Sequence, residues 1–95
     1  MKIVSGKDID VFIRRFPDGK SSIEAWYHEA KNSEWKTSMD IKRRYSTASF
    51  LPKNYVIFNI KGNGYRLVTK VAYNTGVVYI TWLGTHAEYN KRSFP

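Results

Sequence analysis

Cysteine and long hydrophobic runs are both absent from this 95-residue sequence. Without cysteine, neither a disulfide framework nor a thiolate zinc site is possible, which fits a reducing compartment. No apolar stretch approaches the length of a membrane span, and the first residues lack the hydrophobic run of a signal peptide. We therefore expect a cytoplasmic protein that has no membrane partner.

Acidic side chains are scarce in the second half of the chain. Residues 1–52 carry ten basic and seven acidic side chains, whereas residues 53–95 carry six basic side chains and one acidic side chain, Glu88. The formal net charge is +8. An excess of this size in a small domain favours an anionic partner. A basic surface that binds no ligand is the simpler alternative.

The composition and length indicate one folded domain. Hydrophobic residues make up 42% of the chain and aromatic residues 16%, which is enough to form a core. A chain of this length suits one domain and leaves no room for two. We therefore expect a single domain over residues 1–95.

The first half of the sequence shows helical spacing. Ser5 and Asp8 are spaced as a capping box, and Thr37 or Ser38 is placed to cap a short helix that runs to about Tyr45. Between these caps, apolar residues recur at i, i+3, i+4 and i+7, which predicts two amphipathic helices with the second beginning near residue 21 or 22. The two apolar stripes consist of Ile9, Phe12, Ile13 and Phe16, then Ile23, Trp26, Tyr27 and Ala30. The run Pro17-Asp18-Gly19 separates them.

The second half changes to strand spacing. Runs rich in β-formers cover residues 54–60, 65–73 and 77–83, and short turns containing Asn and Gly separate them. Short turns between consecutive strands predict an antiparallel sheet. With a short first strand at residues 2–4 and a loop at residues 46–52, the sequence predicts an α+β fold. Its helices pack on one face of a small three-stranded antiparallel sheet.

The predicted central strand separates charge from apolar bulk. Leu67 and Val71 fall on one side of it, and Arg66 and Lys70 fall on the other. We therefore expect the helices to cover the first side and a basic face to remain on the second. The three tryptophans, including Trp82 in the last strand, are predicted to lie in the core.

Several segments of the sequence resemble HigB-type mRNA interferases, which belong to the RelE-like superfamily of toxins. Nearly the whole chain takes part in the resemblance, in order and without large gaps. The helical half contributes the runs AWY at residues 25–27 and EWK at 34–36. The sheet half contributes the runs NIKGNGYRLV at 59–68 and GTHAEY at 84–89.

The resemblance implies a RelE-like fold and an activity. It implies endonucleolytic cleavage of mRNA, usually on the translating ribosome. It also implies a partner antitoxin, often a HigA-like helix-turn-helix protein. The superfamily includes ParE-like members that inhibit gyrase, so a gyrase-type inhibitor on the same fold is an alternative. A plain RNA-binding module is another.

The chemistry of RNA cleavage suggests roles for individual residues within this resemblance. His86 is the first candidate for proton transfer, because an imidazole exchanges protons near neutral pH. Arg66 is the candidate phosphate ligand, since a guanidinium offers bidentate donors. Lys61 is expected to bind the RNA backbone or to stabilise the transition state. Tyr89 is expected to stack on a base or to form a hydrogen bond with the phosphate. Further RNA contacts are expected from Lys70, Lys91 and Arg92.

A metal or other cofactor is not expected. The two histidines lie far apart in the sequence, and the acidic residues show no ligand spacing. The predicted reaction therefore relies on side chains alone. The 2′-hydroxyl of RNA attacks the adjacent phosphate and releases a 5′-hydroxyl.

Overall fold

A computed structural model describes residues 1–92 of the chain. Within them lie four α-helices and a five-stranded sheet, so the predicted α+β class is confirmed. The strands are β1 (Lys2–Val4), β2 (Ser49–Leu51), β3 (Tyr55–Ile60), β4 (Tyr65–Ala72) and β5 (Val77–Thr85). The helices are α1 (Asp8–Arg15), α2 (Lys20–Lys31), α3 (Ser38–Arg44) and α4 (His86–Asn90).

The sheet has the strand order β1-β5-β4-β3-β2. The predicted antiparallel meander of β3, β4 and β5 is confirmed. The prediction of a purely antiparallel, three-stranded sheet is wrong, because β1 pairs parallel to β5, with Lys2 opposite Val77 and Val4 opposite Tyr79. The helical segment after β1 carries the chain to the opposite edge of the sheet. The later strands then lead back, so that β5 lies beside β1 and runs in the same direction.

A second edge strand lies where the sequence predicted a loop. Ser49–Leu51 pairs antiparallel with β3, with Ser49 opposite Ile57. A tight turn at Pro52–Asn54 makes this pairing possible, because Lys53 and Asn54 both adopt positive φ angles, 65° and 64°. The prediction failed because a three-residue strand is too short to show alternation.

The helix starts differ partly from prediction. The prediction of a capping box at Ser5 and Asp8 is wrong, because α1 begins at Asp8 without a side-chain cap. The Asp8 N–H donates a hydrogen bond to the Ser5 carbonyl at 3.0 Å instead. The predicted cap of the third helix is confirmed, because the Asp40 carboxylate accepts the Thr37 N–H at 3.1 Å. A 3₁₀ turn at Pro17–Gly19 leads directly into α2, which begins slightly earlier than expected.

The hydrophobic core lies between the helices and one face of the sheet. Trp26 meets the Phe58 ring edge-on at 5.3 Å, and Trp35 stacks on it at 5.9 Å, so the prediction that both are core residues is confirmed. Other buried members of this cluster include Phe12, Ile23, Ala30, Ile41, Val56, Leu67, Val71 and Val78. The sheet therefore has one covered face and, opposite the helices, an outer face.

A β-bulge in β5 changes which side chains reach the outer face. Val68 of β4 pairs with Trp82, whereas the next residue, Thr69, pairs with Ile80, which leaves Thr81 as an extra residue. The Thr81 hydroxyl donates to the Val68 carbonyl at 3.1 Å. The bulge shifts the phase of the strand, so Trp82 lies on the outer face rather than in the core as predicted.

The helices of the described residues are short. None is long and apolar enough to cross a membrane.

The division of the sheet into two faces predicts a sharp difference between two valines. Val78 is fully buried, whereas Val4 is 40% exposed, and both lie in strands. We expect Val78→Ala to lower the free energy of unfolding by about 2 kcal/mol, because it leaves a cavity in the core. The same change at Val4 is expected to cost less than about 0.5 kcal/mol. Urea unfolding measures both, and equal losses would contradict the proposed burial.

Candidate functional site

The outer face of the sheet combines basic and aromatic side chains. None of the five described strands contains an acidic residue. The strand pairing places three rows of residues across this face. The rows are Tyr55, Lys70 and Tyr79; then Ile57, Val68 and Trp82; then Asn59, Arg66 and Gly84. The predicted basic outer face is therefore present.

Arg66 lies half-buried in the third row, between Asn59 and Gly84. Its Nη1 donates a hydrogen bond to the side-chain oxygen of Asn59. Its guanidinium carbon lies 5.9 Å from the centre of the Tyr89 ring. These two neighbours orient the guanidinium without neutralising it, because an amide and a phenol ring carry no charge.

Glu88 is the only acidic residue after position 52, and it pairs elsewhere. Its Oε2 accepts a hydrogen bond from Arg15 of α1 at 2.8 Å. Its Oε1 accepts the backbone N–H of Thr85 at 3.0 Å. The bonds from Arg15 and Thr85 hold the pKa of Glu88 below its usual value. Within residues 1–92, no carboxylate therefore forms an ion pair with Arg66.

Thr85 and Glu88 form the capping box of α4. The Thr85 hydroxyl accepts the Glu88 N–H at 3.0 Å, while Glu88 accepts the Thr85 N–H. Gly84 precedes the box, and a Cβ there would lie 2.8 Å from Glu88 Oε1 and 2.8 Å from Trp82 Cζ2. Only glycine therefore fits under this corner. The spacing Thr-x-x-Glu is a recognisable helix-start signal, so α4 was predictable although the sequence analysis missed it.

His86 begins α4 and is held on both sides. Its backbone N–H donates to the Gly64 carbonyl in the β3–β4 turn at 3.1 Å. Its Nδ1 lies 3.0 Å from Nδ2 of Asn90, one helical turn along. The contact with Asn90 orients the imidazole, and within the described chain Nε2 has no hydrogen-bond partner. Nε2 is therefore the nitrogen available to a substrate.

Tyr89 connects Arg66 to the aromatic part of the site. It lies one turn after His86 on α4, and neighbours at this spacing share a helix face. Its ring centre is 6.2 Å from that of Trp82. The Arg92 guanidinium lies 5.5 Å from the Trp82 ring centre. Arg66, Tyr89, Trp82 and Arg92 thus form a continuous series in which two aromatic rings lie between two guanidiniums.

Lys61 is directed away from this series. Its Nζ lies 2.8 Å from Asp18 Oδ2, and the Tyr65 hydroxyl donates to the other oxygen of Asp18 at 2.6 Å. These bonds from Lys61 and Tyr65 lower the pKa of Asp18. Asp18 belongs to the turn before α2, on the helical side of the sheet. The structure therefore does not bring Lys61 together with Arg66.

The remaining predicted RNA contacts are exposed. Lys70 lies in the first row, and its Nζ is 5.4 Å from the centre of the Tyr55 ring. Lys91 is exposed just beyond α4, and Arg92 follows it. Lys70 is four residues along β4 from Arg66, so the predicted basic residues occupy both ends of the outer face.

Three neighbours of the site escaped the sequence analysis. Asn59 and Asn90 orient Arg66 and His86, and no spacing rule singles out an asparagine for either task. Trp82 was assigned to the core with the other two tryptophans, and the bulge at Thr81 takes it out of phase with Val78 and Ile80. A bulge of this kind has no clear signal in a single sequence.

Acidic and histidine side chains are dispersed over the described residues. No group of three or more of them is close enough together to hold a metal ion in residues 1–92. The outer face and α4 carry the imidazole of His86, the guanidinium of Arg66, the ammonium of Lys70 and several aromatic rings.

Comparison with known protein families identifies a matching family. The sequence model of the HigB toxin family, described as the RelE-like toxic component of a toxin–antitoxin system, matches residues 19–92. This span begins in the turn before α2 and includes every residue of the site described above. Comparison with curated protein sequences finds no significant match.

The ion pair of Glu88 predicts a pH-dependent contribution to stability. Because its pKa is lowered by folding, the carboxylate stabilises the protein above its ordinary pKa, about 4.3, and this contribution disappears as the pH falls through the lowered value. We expect Glu88→Gln to cost about 0.5 kcal/mol at pH 7, since the pair is partly exposed.

This difference between wild type and Glu88→Gln should vanish towards pH 3, as measured by urea unfolding across the pH range. Glu24→Gln, an exposed change on α2, serves as the control and should have little effect at any pH. A constant cost from pH 7 to pH 3 would show that the charge of Glu88 does not matter.

Proposed function

Since the chain belongs to the HigB family of RelE-like toxins, it is the toxic component of a toxin–antitoxin system, and we propose that it is an endoribonuclease that cleaves mRNA on the translating ribosome. An antitoxin partner follows from the family. The single observation that best supports the nuclease is Arg66, which has no acidic partner among residues 1–92 and lies beside Tyr89 of the helix that begins with His86.

The proposed reaction uses the side chains at this site, with water carrying the proton that His86 does not transfer. The 2′-oxygen of the RNA loses its proton and bonds to the adjacent phosphorus. The bond from phosphorus to the 5′-oxygen breaks, and that oxygen gains a proton. The products are a 2′,3′-cyclic phosphate and a 5′-hydroxyl. Proton transfer by a positioned side chain contributes about 10²–10⁴-fold to such a rate.

Arg66 is proposed to compensate the negative charge on the phosphate as the reaction proceeds. The hydrogen bond to Asn59 fixes its guanidinium before substrate arrives. Donors that are already oriented avoid reorganisation in the transition state, which is usually the largest electrostatic contribution to catalysis. A carboxylate partner would reduce this effect, and Glu88 is engaged with Arg15 instead.

His86 is proposed to exchange a proton with one of the two reacting oxygens, through Nε2. Asn90 holds its ring, and the Gly64 carbonyl holds its backbone. Tyr89 is proposed to stack on an unpaired base or donate to the phosphate, in keeping with its position beside Arg66. Lys91 and Arg92 extend the positive charge at this end of the face.

Lys61 has a weaker claim to a catalytic role. Its ammonium already pairs with Asp18 on the helical side. Lys61 stays a predicted substrate contact, and its ion pair with Asp18 would have to break before Lys61 could bind RNA.

The proposal also concerns partners and location. Translated messages are found in the cytoplasm, where the toxin would meet both mRNA and ribosome. The antitoxin is proposed to be a HigA-like helix-turn-helix protein. The single domain expected over residues 1–95 is part of the same proposal.

The first test maps transcript 5′ ends by primer extension in a translating extract. We expect new ends on translated messages, and Arg66→Ala or His86→Ala to reduce their rate of formation about 100-fold or more, through the loss of charge compensation or of proton transfer. Arg14→Ala and His28→Ala are matched controls, because both side chains are exposed on helices away from the outer face. Circular dichroism confirms folding.

The outcomes separate the alternatives. If both variants are folded and cleave as fast as wild type, the proposed site is wrong. New ends on free RNA as well as on translated messages would retain the nuclease and remove the ribosome. If the wild-type protein is folded and toxic but leaves transcripts intact, the ParE-like gyrase inhibitor becomes the better explanation. An RNA-binding module would neither cut transcripts nor arrest growth.

A second test concerns metal. We propose that the reaction is metal-independent, so protein treated with EDTA and then freed of chelator should cleave at the same rate as untreated protein. Stripping the protein before it meets the extract leaves the magnesium of the ribosomes unchanged. Loss of cleavage that returns when zinc or manganese is added would contradict the proposal.

A further inference from the structure

Two tyrosines and a lysine lie side by side on the outer face, far from the end that carries Arg66. Tyr55 of β3 is directly opposite Lys70 of β4, and Lys70 is directly opposite Tyr79 of β5. The Lys70 ammonium lies 5.4 Å from the centre of the Tyr55 ring. We refer to Tyr55, Lys70 and Tyr79 as the tyrosine row.

The tyrosine row has no role in the core. Both tyrosines lie outside the hydrophobic cluster that residues 1–92 form between the helices and the sheet. Tyr79 is 44% exposed, and its ring is one of the largest apolar groups left on the surface. An exposed aromatic ring beside a lysine is a surface suited to a partner that has both flat rings and negative charge.

The charge of the face selects the class of partner. The strands carry Arg66 and Lys70 on this face and no carboxylate, whereas all eight acidic residues lie outside the strands. Single-stranded RNA matches this surface, because its bases stack on aromatic rings and its phosphates pair with cations. The core of a protein–protein interface is depleted of lysine, whereas this row carries Lys70 at its centre.

The spacing between the row and Arg66 suits one RNA strand that contacts both. Lys70 and Arg66 are four residues apart on β4, which corresponds to about 13 Å along the strand. Between them lie Ile57 and Val68, which are both buried. This separation exceeds the reach of one nucleotide, so the row would contact a nucleotide beyond those beside the cleaved bond.

We propose that the tyrosine row is a second RNA subsite, in which Tyr55 and Tyr79 stack on an unpaired base and Lys70 binds a neighbouring phosphate. This inference rests on the proposed nuclease function and extends it to the nucleotides next to the cleavage point. The row is a binding subsite, since it does not touch the reacting atoms.

The test measures binding of 2′-O-methyl RNA, which lacks the attacking hydroxyl and cannot be cleaved by this route. Fluorescence anisotropy compares a labelled dinucleotide with a hexanucleotide on the purified full chain. We expect wild type to bind the hexanucleotide more tightly. Tyr79→Ala and Tyr55→Ala should each weaken hexanucleotide binding about 5- to 100-fold, which is the range for loss of one stacked base. Each change should also remove the higher affinity for the hexanucleotide relative to the dinucleotide.

Matched variants separate stacking from general damage. Tyr79→Phe keeps the ring and should retain the affinity of wild type for the hexanucleotide. Lys70→Ala should weaken binding and reduce its dependence on salt, whereas Lys31→Ala, on α2, should do neither. Val11→Ala removes an exposed apolar side chain from α1 and should also leave binding unchanged.

Each result bears on the subsite independently of the nuclease. If Tyr55→Ala and Tyr79→Ala bind both oligonucleotides like wild type, the subsite is wrong, and cleavage by wild type in the extract would still support the nuclease. The same conclusion holds if the variants lose only antitoxin binding, which would make the row a protein contact. If substitutions in the tyrosine row weaken RNA binding but the wild-type protein leaves transcripts intact, the subsite is supported and the nuclease is contradicted.

Discussion

The extra residue Thr81 in β5 is the constraint on which the outer face depends. Regular alternation from Val78 and Ile80 would turn Trp82 into the core and Leu83 outwards. The bulge reverses this, so Leu83 packs towards the core while Trp82 and Gly84 lie on the outer face. The bond from the Thr81 hydroxyl to the Val68 carbonyl fixes the irregularity in place. The position of α4, which follows β5, therefore depends on it.

The distribution of acidic groups matters as much as the excess of basic ones. Asp18 and Glu88 each form an ion pair that joins the helical half of the chain to the sheet half. Asp18 pairs with Lys61, and Glu88 pairs with Arg15. Both carboxylates are therefore engaged with cations other than Arg66. The cost is that Lys61 is no longer a free cation, which explains why one of the predicted catalytic residues lies apart from the others.

Periodicity predicted the elements that bury a regular stripe and failed where geometry is irregular. The stripes of α1 and α2 and the alternation in β3 and β4 are long enough to identify, and they confirm the α+β class. The strand at Ser49–Leu51, the parallel pairing of β1 and the bulge at Thr81 depend on contacts between distant segments. Arg66, His86 and Tyr89 were identified through the family resemblance, whereas Asn59 and Asn90 required the structure.

The run from Gly84 to Tyr89 divides into residues that build the corner between β5 and α4 and residues proposed to contact the substrate. Gly84 allows close packing under Trp82, and Thr85 and Glu88 cap α4. These three account for much of the motif without any chemistry, so the motif alone would also suit a binding protein on the same fold. The proposed nuclease activity therefore depends on His86 and Tyr89, whose presence capping does not explain. It also depends on Arg66, which pairs with no carboxylate among residues 1–92.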